Sequence, residues 1–245
     1  MRVHRASLTR GFLLHQRPFR DTSLIVELYT HEHGRLTTFA RGARGVNGKR
    51  SRFSALRPFQ PLLLSWQGRG DAPQLTAAEA DGAPNTLPAS QLMSGYYLNE
   101  LLLKLTAQHD PQPELYNLYV GALQALAADA HTEWCLRSFE KQLLELLGFG
   151  LNLATDVVND APLRLDACYC YSPGSGFSVA EPGAAGYSGR MLQALGAECV
   201  METEQHWREA RELMRTAIDH CLEGRELRTR TVARSIARRL AGAVA

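Results

Sequence analysis

The chain has 245 residues, of which 45% are hydrophobic and 21% are charged, a composition that is ordinary for a globular protein. Its apolar runs are too short for a secretory signal or a membrane span, and its five cysteines are odd in number and scattered. A disulfide framework is therefore not expected. We expect a reduced, cytoplasmic protein with no membrane partner.

The net charge of +2 conceals three blocks of opposite sign. Residues 1–80 carry thirteen Lys/Arg and five Asp/Glu, residues 81–224 carry eight and nineteen, and residues 225–245 carry six and one. A binding partner responds to the local field of a domain rather than to the total charge. The basic first block therefore predicts nucleic-acid contact on a separate small domain.

The first eighty residues have the pattern of short strands. An apolar run at 8–14 is followed by alternating segments at 24–29 and 35–40, which flank a turn that ends at Gly34. Two further strands are predicted at 62–66 and 74–80. Five short strands separated by turn signals are typical of a small barrel or sandwich.

The hydrophobic period changes from two to 3.6 after a Pro-, Asn- and Ser-containing boundary at 84–90. This change predicts a barrel domain at 1–82 and a helical domain at 83–245. Residues 160–187 lose the helical period and predict an irregular or hairpin insert. Helices are predicted at 98–105, 115–126, 132–147, 188–195, 203–222 and in the Arg-rich tail.

The densest positive charge lies between residues 35 and 52, where Gly42, Gly45 and Gly48 separate the cations. Guanidinium groups bind phosphate in a bidentate manner, and a glycine-rich loop can follow an irregular backbone. Phe19 and Phe53 lie beside cations and are candidates for base stacking. The alternative is a solvated basic loop with both rings in the core. The predicted DNA-binding residues are Arg17, Arg20, Arg35, Arg41, Arg44, Lys49, Arg50 and Arg52.

The tail carries a second basic feature. Arg230, Arg234 and Arg238 recur at helical spacing, while Val232, Ile236 and Leu240 face the other way,. Such a helix could contact phosphate, an acidic peptide or the acidic middle block of the protein itself. These three alternatives remain open at the level of sequence.

Cys168 and Cys170 resemble part of a metal site. Structural zinc requires four ligands, normally from two close pairs, and no second Cys/His pair follows at a suitable spacing. We therefore expect no zinc and no other cofactor.

No catalytic motif is recognisable in the chain. The acidic residues of the basic block are dispersed along the sequence, whereas metal-assisted nucleases need clustered carboxylates. They are Asp21, Glu27, Glu32, Asp71 and Glu79. We expect a protein that is not an enzyme; the alternative is a nuclease-like subunit that uses the basic barrel to bind its substrate.

Ordered motifs along nearly the whole chain resemble the RecO family of bacterial recombination mediators. In the first domain they lie at 11–14, 22–24, 33–35, 39–44 and 56–64, and in the second at 94–102, 136–140, 147–150, 188–190 and 224–234. The resemblance implies an α+β multidomain protein. Its N-terminal OB-fold (oligonucleotide/oligosaccharide-binding) β-barrel would precede an α-helical domain with a degenerate zinc-finger insert, because only Cys168 and Cys170 remain of the paired zinc ligands that many members carry.

The resemblance also implies a function in the bacterial nucleoid. The protein would bind single- and double-stranded DNA, anneal complementary strands and work with RecR to load RecA onto coated single strands. Its helical domain would bind the acidic, hydrophobic C-terminal tail of the single-stranded-DNA-binding protein, which needs an apolar groove with a cationic rim. Candidate rim residues, or a secondary basic site, are Arg137, Arg190, Arg228, Arg230, Arg234 and Arg238.

Overall fold

The computed structural model describes residues 3–44, 53–70, 72–181 and 183–243. The chain divides into two compact units. The first comprises Met1–Ala130 together with Leu227–Ala245, and the second comprises His131–Glu226.

The first unit contains a closed five-stranded barrel in the order β1-β2-β3-β5-β4. Its neighbouring strands are antiparallel except β3 and β5, which pair in parallel. The barrel confirms the predicted fold class. Its strands are β1 (Val3–Phe19), β2 (Ser23–Thr30), β3 (Gly34–Ala40), β4 (Leu62–Arg69) and β5 (Gln74–Ala80).

The long first strand closes the barrel because it pairs with both of its neighbours. Its N-terminal half pairs with β4 and its C-terminal half with β2. The register shifts between Ala6 and Thr9 and again between Leu13 and His15. Such irregularities bend a strand and increase its twist, so one continuous strand can bridge two sides of the barrel.

Side chains that alternate along the strands fill the barrel. Leu36, Thr38 and Ala40 of β3 are buried while the residues between them are partly exposed, as the period-two pattern predicts. Leu28, Leu64 and other apolar side chains from the remaining strands complete the core.

Helices α1 (Leu92–Leu105) and α2 (Pro113–Ala127) belong to the same unit as the barrel. The buried Asn99 of α1 donates from Nδ2 to the carbonyl of Leu14 (3.2 Å), next to the second irregularity of β1. The Tyr119 hydroxyl of α2 donates to Asn99 Oδ1 (2.6 Å). The Asn99 amide therefore provides a hydrogen bond to the Leu14 carbonyl at the point where the pairing of β1 is irregular,.

The last helix of the first unit is α6 (Arg228–Ala243). It packs against α1 through its first turn. The carboxylate of Glu100 accepts from the backbone N–H groups of Arg228 (2.9 Å) and Thr229 (2.8 Å). A carboxylate in this position satisfies unpaired amides and complements the helix dipole.

The second unit contains three helices, α3 (Thr132–Leu146), α4 (Gly189–Gly196) and α5 (Glu204–Leu222). The predicted helices are thus present. The predicted insert is a small five-stranded sheet in the order β10-β8-β9-β6-β7, which is more than one hairpin. Its strands are β6 (Thr155–Asp156), β7 (Ala161–Pro162), β8 (Cys168–Ser172), β9 (Gly176–Val179) and β10 (Tyr187–Ser188).

None of the helices in the described ranges is both long enough and apolar enough to span a membrane.

Candidate nucleic-acid interface

An open pocket of about 640 Å³ lies at one end of the barrel. Three arginines line it, and each is exposed: Arg5 at the start of β1, Arg41 after β3 and Arg69 at the end of β4. Phe39 supplies an aromatic wall. The pocket therefore combines three guanidinium groups with a ring face.

Barrel closure brings these distant residues together. Arg5 pairs with Gln67 in the β1–β4 ladder. Phe39 pairs with Gln74, and its N–H donates to the carbonyl of Pro73 (3.0 Å). The start of β1, the end of β3 and the β4–β5 turn consequently meet at one rim.

The aromatic wall continues beyond the pocket. The rings of Phe19 and Phe39 lie 5.3 Å apart between centroids, and both residues are partly exposed. The guanidinium of Arg20 lies 5.2 Å from the centroid of the Phe19 ring, within range of a cation–π contact. The N–H of Arg44 donates to the carbonyl of Thr22 (3.0 Å), which holds this arginine near the β1–β2 turn.

We call this surface the basic barrel end. It consists of Arg5, Phe19, Arg20, Phe39, Arg41, Arg44 and Arg69.

The five arginines of the basic barrel end are exposed and unneutralised by their described neighbours. No carboxylate of the described residues lies within ion-pairing distance of them. Asp71, two positions after Arg69 in the sequence, lies outside the described residues. A concentration of unpaired cations produces a local positive potential that attracts polyanions.

Several predicted DNA-binding residues belong to this surface or lie beside it. Arg20, Arg41 and Arg44 are part of it, and the exposed Arg17 is on β1 opposite Ile25. Lys49, Arg50 and Arg52 lie outside the described residues, so their assignment stays a prediction.

Sequence reasoning missed Arg5, Arg69 and Phe39. Arg5 and Arg69 are far apart along the chain and meet only through the β1–β4 ladder. Phe39 was assigned to a strand face and not to a binding surface. Its position two residues before Arg41 was the available signal.

Arg35 has a structural role, which corrects its assignment to DNA contact. Its Nη1 lies 3.4 Å from Glu27 Oε2, and Nε and Nη2 donate to the carbonyl of Thr106 at 3.2 and 3.0 Å. The side chain is only 15% exposed. Arg35 therefore binds the C-terminal end of α1 to the barrel, where a cation also complements the helix dipole.

Phe53 is buried in the barrel core with 4% of its surface exposed. A ring in this position cannot stack on a base, so the structure corrects the stacking assignment of Phe53. The position of the Phe53 ring agrees with the alternative prediction, in which the ring belongs to the core. Phe19 keeps its place as a stacking candidate.

Arg137 is also buried, which corrects its assignment to the rim of a peptide groove. Its Nε donates to Glu140 Oε2 (2.7 Å), and Nη1 lies 3.6 Å from Glu133 Oε2. Only 6% of the side chain is exposed. A buried charge held by two carboxylates is a structural group; Arg190 and the arginines of α6 remain candidates for the rim.

The cysteines of the insert, Cys168 and Cys170, lie on β8, which pairs with β10. Cys168 pairs with Ser188 of β10, and a Cβ added to Gly186 would lie 2.8 Å from Cys168 Sγ. Across the described ranges, no three His, Cys, Asp or Glu side chains are grouped to hold a metal ion. Two thiols against glycine and serine do not fit the four-ligand requirement of structural zinc.

The fold and this surface define a class of protein: an α+β protein whose N-terminal OB-fold barrel carries a cationic, aromatic rim and precedes a helical region. Two family models match the chain. The model described as "Recombination protein O N terminal" matches residues 1–82, and "Recombination protein O C terminal" matches residues 89–231.

Relatives with the printed name "DNA repair protein RecO" are similar to almost the whole chain. The protein of Methylococcus capsulatus is 42% identical over 94% of this chain and 94% of its own length. That of Coxiella burnetii is 41% identical over 92% and 97%, and that of Alkalilimnicola ehrlichii 43% identical over 93% and 91%. The chain belongs to the RecO family of DNA repair proteins.

Proposed function

We propose that this chain is a recombination mediator that binds single- and double-stranded DNA through the basic barrel end and anneals complementary strands. The observation that carries the proposal is the pocket in which Arg5, Arg41 and Arg69 surround Phe39. Arginines suit bidentate contact with phosphate. Partly exposed rings beside them suit the stacking of unpaired bases.

Annealing by such a surface needs no catalytic group. Two complementary strands repel each other, and a cationic surface lowers this repulsion by displacing condensed counterions. Backbone contacts carry little sequence information, so we expect weak sequence preference. If the five arginines of the basic barrel end neutralise five phosphates, the logarithm of single-strand affinity falls with log[salt] at a slope of about −3.5.

The proposal includes three protein partners. With RecR, the chain would load RecA onto single strands coated by the single-stranded-DNA-binding protein, whose C-terminal tail would bind the helical region. These partners rest on family membership. The loading assay is RecA filament formation on coated strands with and without this chain, in the presence of RecR; equal rates would contradict the loading role.

The proposal assigns no enzymatic activity. Glu27, an acidic residue of the barrel, accepts hydrogen bonds from Arg35 (3.4 Å) and from the Thr37 hydroxyl (2.9 Å), so its oxygens are already used within the fold. Incubation of labelled DNA with the purified protein and Mg²⁺ is expected to leave strand lengths unchanged. Turnover of the DNA would favour the nuclease-like alternative.

Substituting Arg5, Arg41 and Arg69 together with glutamine is expected to weaken single-strand binding about a hundredfold at low salt, at about 1 kcal/mol for each lost contact. The annealing rate should fall with it. Fluorescence anisotropy with a labelled oligonucleotide measures the affinity, and quenching of complementary labelled strands measures annealing.

A matched control removes three positive charges from the second unit. Arg164, Arg208 and Arg215 are each more than half exposed and pair with acidic residues nearby in sequence. Their glutamine variants are expected to bind DNA as the unsubstituted protein does. Unchanged affinity in the barrel variant, or equal losses in both variants, would contradict the assignment of the site.

A further inference from the structure

The arginine-rich helix α6 has no role in the surface described above. It carries five arginines and no acidic residue over Arg228–Ala243. Arg234, Arg238 and Arg239 are exposed. Neither Arg234 nor Arg238 forms an ion pair with any carboxylate of the described ranges. The charge of Arg234 and Arg238 is therefore available to a partner.

The start of α6 is fixed, which gives this charge a defined position. Glu100 caps the first turn through the backbone N–H groups of Arg228 and Thr229 and also accepts from the Thr229 hydroxyl (2.6 Å). The guanidinium of Arg230 lies 5.8 Å from the ring centroid of Tyr97 on α1. These contacts use the first turn, and residues 231–236 beyond it are all exposed.

The arginines beyond the anchored turn share one face of the helix. Arg230, Arg234 and Arg238 are spaced by four residues, so successive guanidinium stems are separated by about 6 Å along the axis. Thr231 and Ser235 lie between this row and Arg239 on the helical projection. The face is a row of cations with short hydroxyl side chains beside it.

We propose that this arginine face of α6 is a second nucleic-acid-binding surface, which holds the backbone of a second strand while the basic barrel end holds the first. The inference rests on the proposed annealing function. It assigns α6 a part in that function, because a strand pair can form on one protein molecule only if both strands are held by it.

The physical benefit is twofold. Each strand loses condensed counterions to a cationic surface, which reduces the repulsion between the two backbones. Because α6 belongs to the same compact unit as the barrel, the search for the complement becomes intramolecular, with an effective concentration in the ~mM range for short connections.

The chemistry of α6 favours a nucleic-acid backbone over other anionic partners. An acidic tail with aromatic residues needs an apolar groove, whereas α6 offers a convex row of cations. A helix that lies on a membrane buries a broad apolar face rich in Trp, Phe and Leu. Among the α6 side chains that the structure describes, the large apolar ones that are exposed are Val232 and Ile236, at 46% and 43%, and neither is Trp, Phe or Leu.

Replacing Arg234 and Arg238 with glutamine in the full chain tests the proposal. Two non-complementary single strands, one with a donor dye and one with an acceptor, report energy transfer when one protein holds both. We expect the double variant to need about tenfold more of the second strand to give the same signal. Its affinity for the first strand, measured alone, should change less than twofold.

The control substitutes Arg208 and Arg215 of α5 with glutamine, which removes the same charge and should leave the energy transfer unchanged. Unaltered transfer in the α6 variant would overturn the proposal, as would equal loss in the control. If the α6 variant also lost affinity for the first strand, α6 and the barrel would bind the same strand, and this result would also overturn the proposal. The proposal would fail as well if the α6 variant lost binding to phosphatidylglycerol vesicles but still bridged the two strands.

These outcomes are distinct from a failure of the proposed function. If the barrel variant at Arg5, Arg41 and Arg69 retains full first-strand affinity, the basic barrel end is not the primary site, whatever α6 does. If the barrel variant loses affinity and the α6 variant bridges normally, the proposed function stands and the assignment of α6 fails.

Discussion

Replacing Gly34 with alanine is expected to destabilise the unit that contains the barrel by about 3 kcal/mol. Gly34 has a φ of +64°, and a Cβ at this position would clash with the carbonyl oxygen of Asp110. The N–H of His109 donates to the carbonyl of Arg35 (2.8 Å). The segment with His109 and Asp110 therefore lies against the start of β3, and it cannot move away from the added Cβ without breaking this hydrogen bond.

Residue-resolved hydrogen exchange is the suitable measurement, because two compact units need not unfold in one step. Amides of β2 and β3 should lose protection in the Gly34 variant. Gly42→Ala is the matched control, since its φ is +70° and no described atom lies within 4 Å of the added Cβ. If the amides of β2 and β3 were as well protected in the Gly34 variant as in the Gly42 variant, the close packing of Gly34 against Asp110 would not contribute to stability.

Replacing Gly189 with alanine is expected to destabilise the second unit by about 3 kcal/mol or more. Gly189 is the first residue of α4, and its N–H donates to the carbonyl of Ala167 (2.9 Å). A Cβ would clash with the carbonyl oxygen of Arg164. Ser188 caps the same helix by accepting from the N–H of Met191 (3.3 Å). Because these two hydrogen bonds fix the start of α4, the helix cannot shift to relieve the clash.

Gly121→Ala provides the contrasting helical substitution. No described side chain or remote backbone lies within 4 Å of a Cβ at this position in α2, and alanine favours a helix over glycine by about 1 kcal/mol. The Gly121 variant should therefore be slightly more stable. Amide protection in α4 and α5 that survives in the Gly189 variant would refute the packing argument.

The sequence predicted much of the fold because the local signals were consistent. Alternating apolar residues at 35–40 produce a strand with one buried face, and the spacing of Leu98, Leu101 and Leu102 produces a helix whose buried face carries all three. Gly34 was recognisable as a turn residue, and Gly189 by resemblance alone. Their physical reason, contact with a carbonyl at Asp110 or Arg164, depends on tertiary packing that no local pattern reports.

The candidate site was only partly predictable. Arg20, Arg41 and Arg44 were found because the charge is dense in that part of the sequence, whereas Arg5 and Arg69 join them only through barrel closure. Charge density also misled in two places: Arg35 is used by Glu27 within the fold, and Phe53 points into the core although cations precede it. Arg137, a candidate for the peptide-groove rim, is likewise held by carboxylates of its own helix. For Arg137 the signal was present, since Glu133 and Glu140 lie at helical spacing.

The central claim is that phosphates bind at the pocket formed by Arg5, Arg41 and Arg69. The most direct measurement is the salt dependence of single-strand affinity for the unsubstituted protein and for the variant with glutamine at all three positions. Each phosphate contact contributes about 0.7 to the slope of log K against log[salt], so the variant should be shallower by about 2. Parallel lines with the same slope would contradict the account.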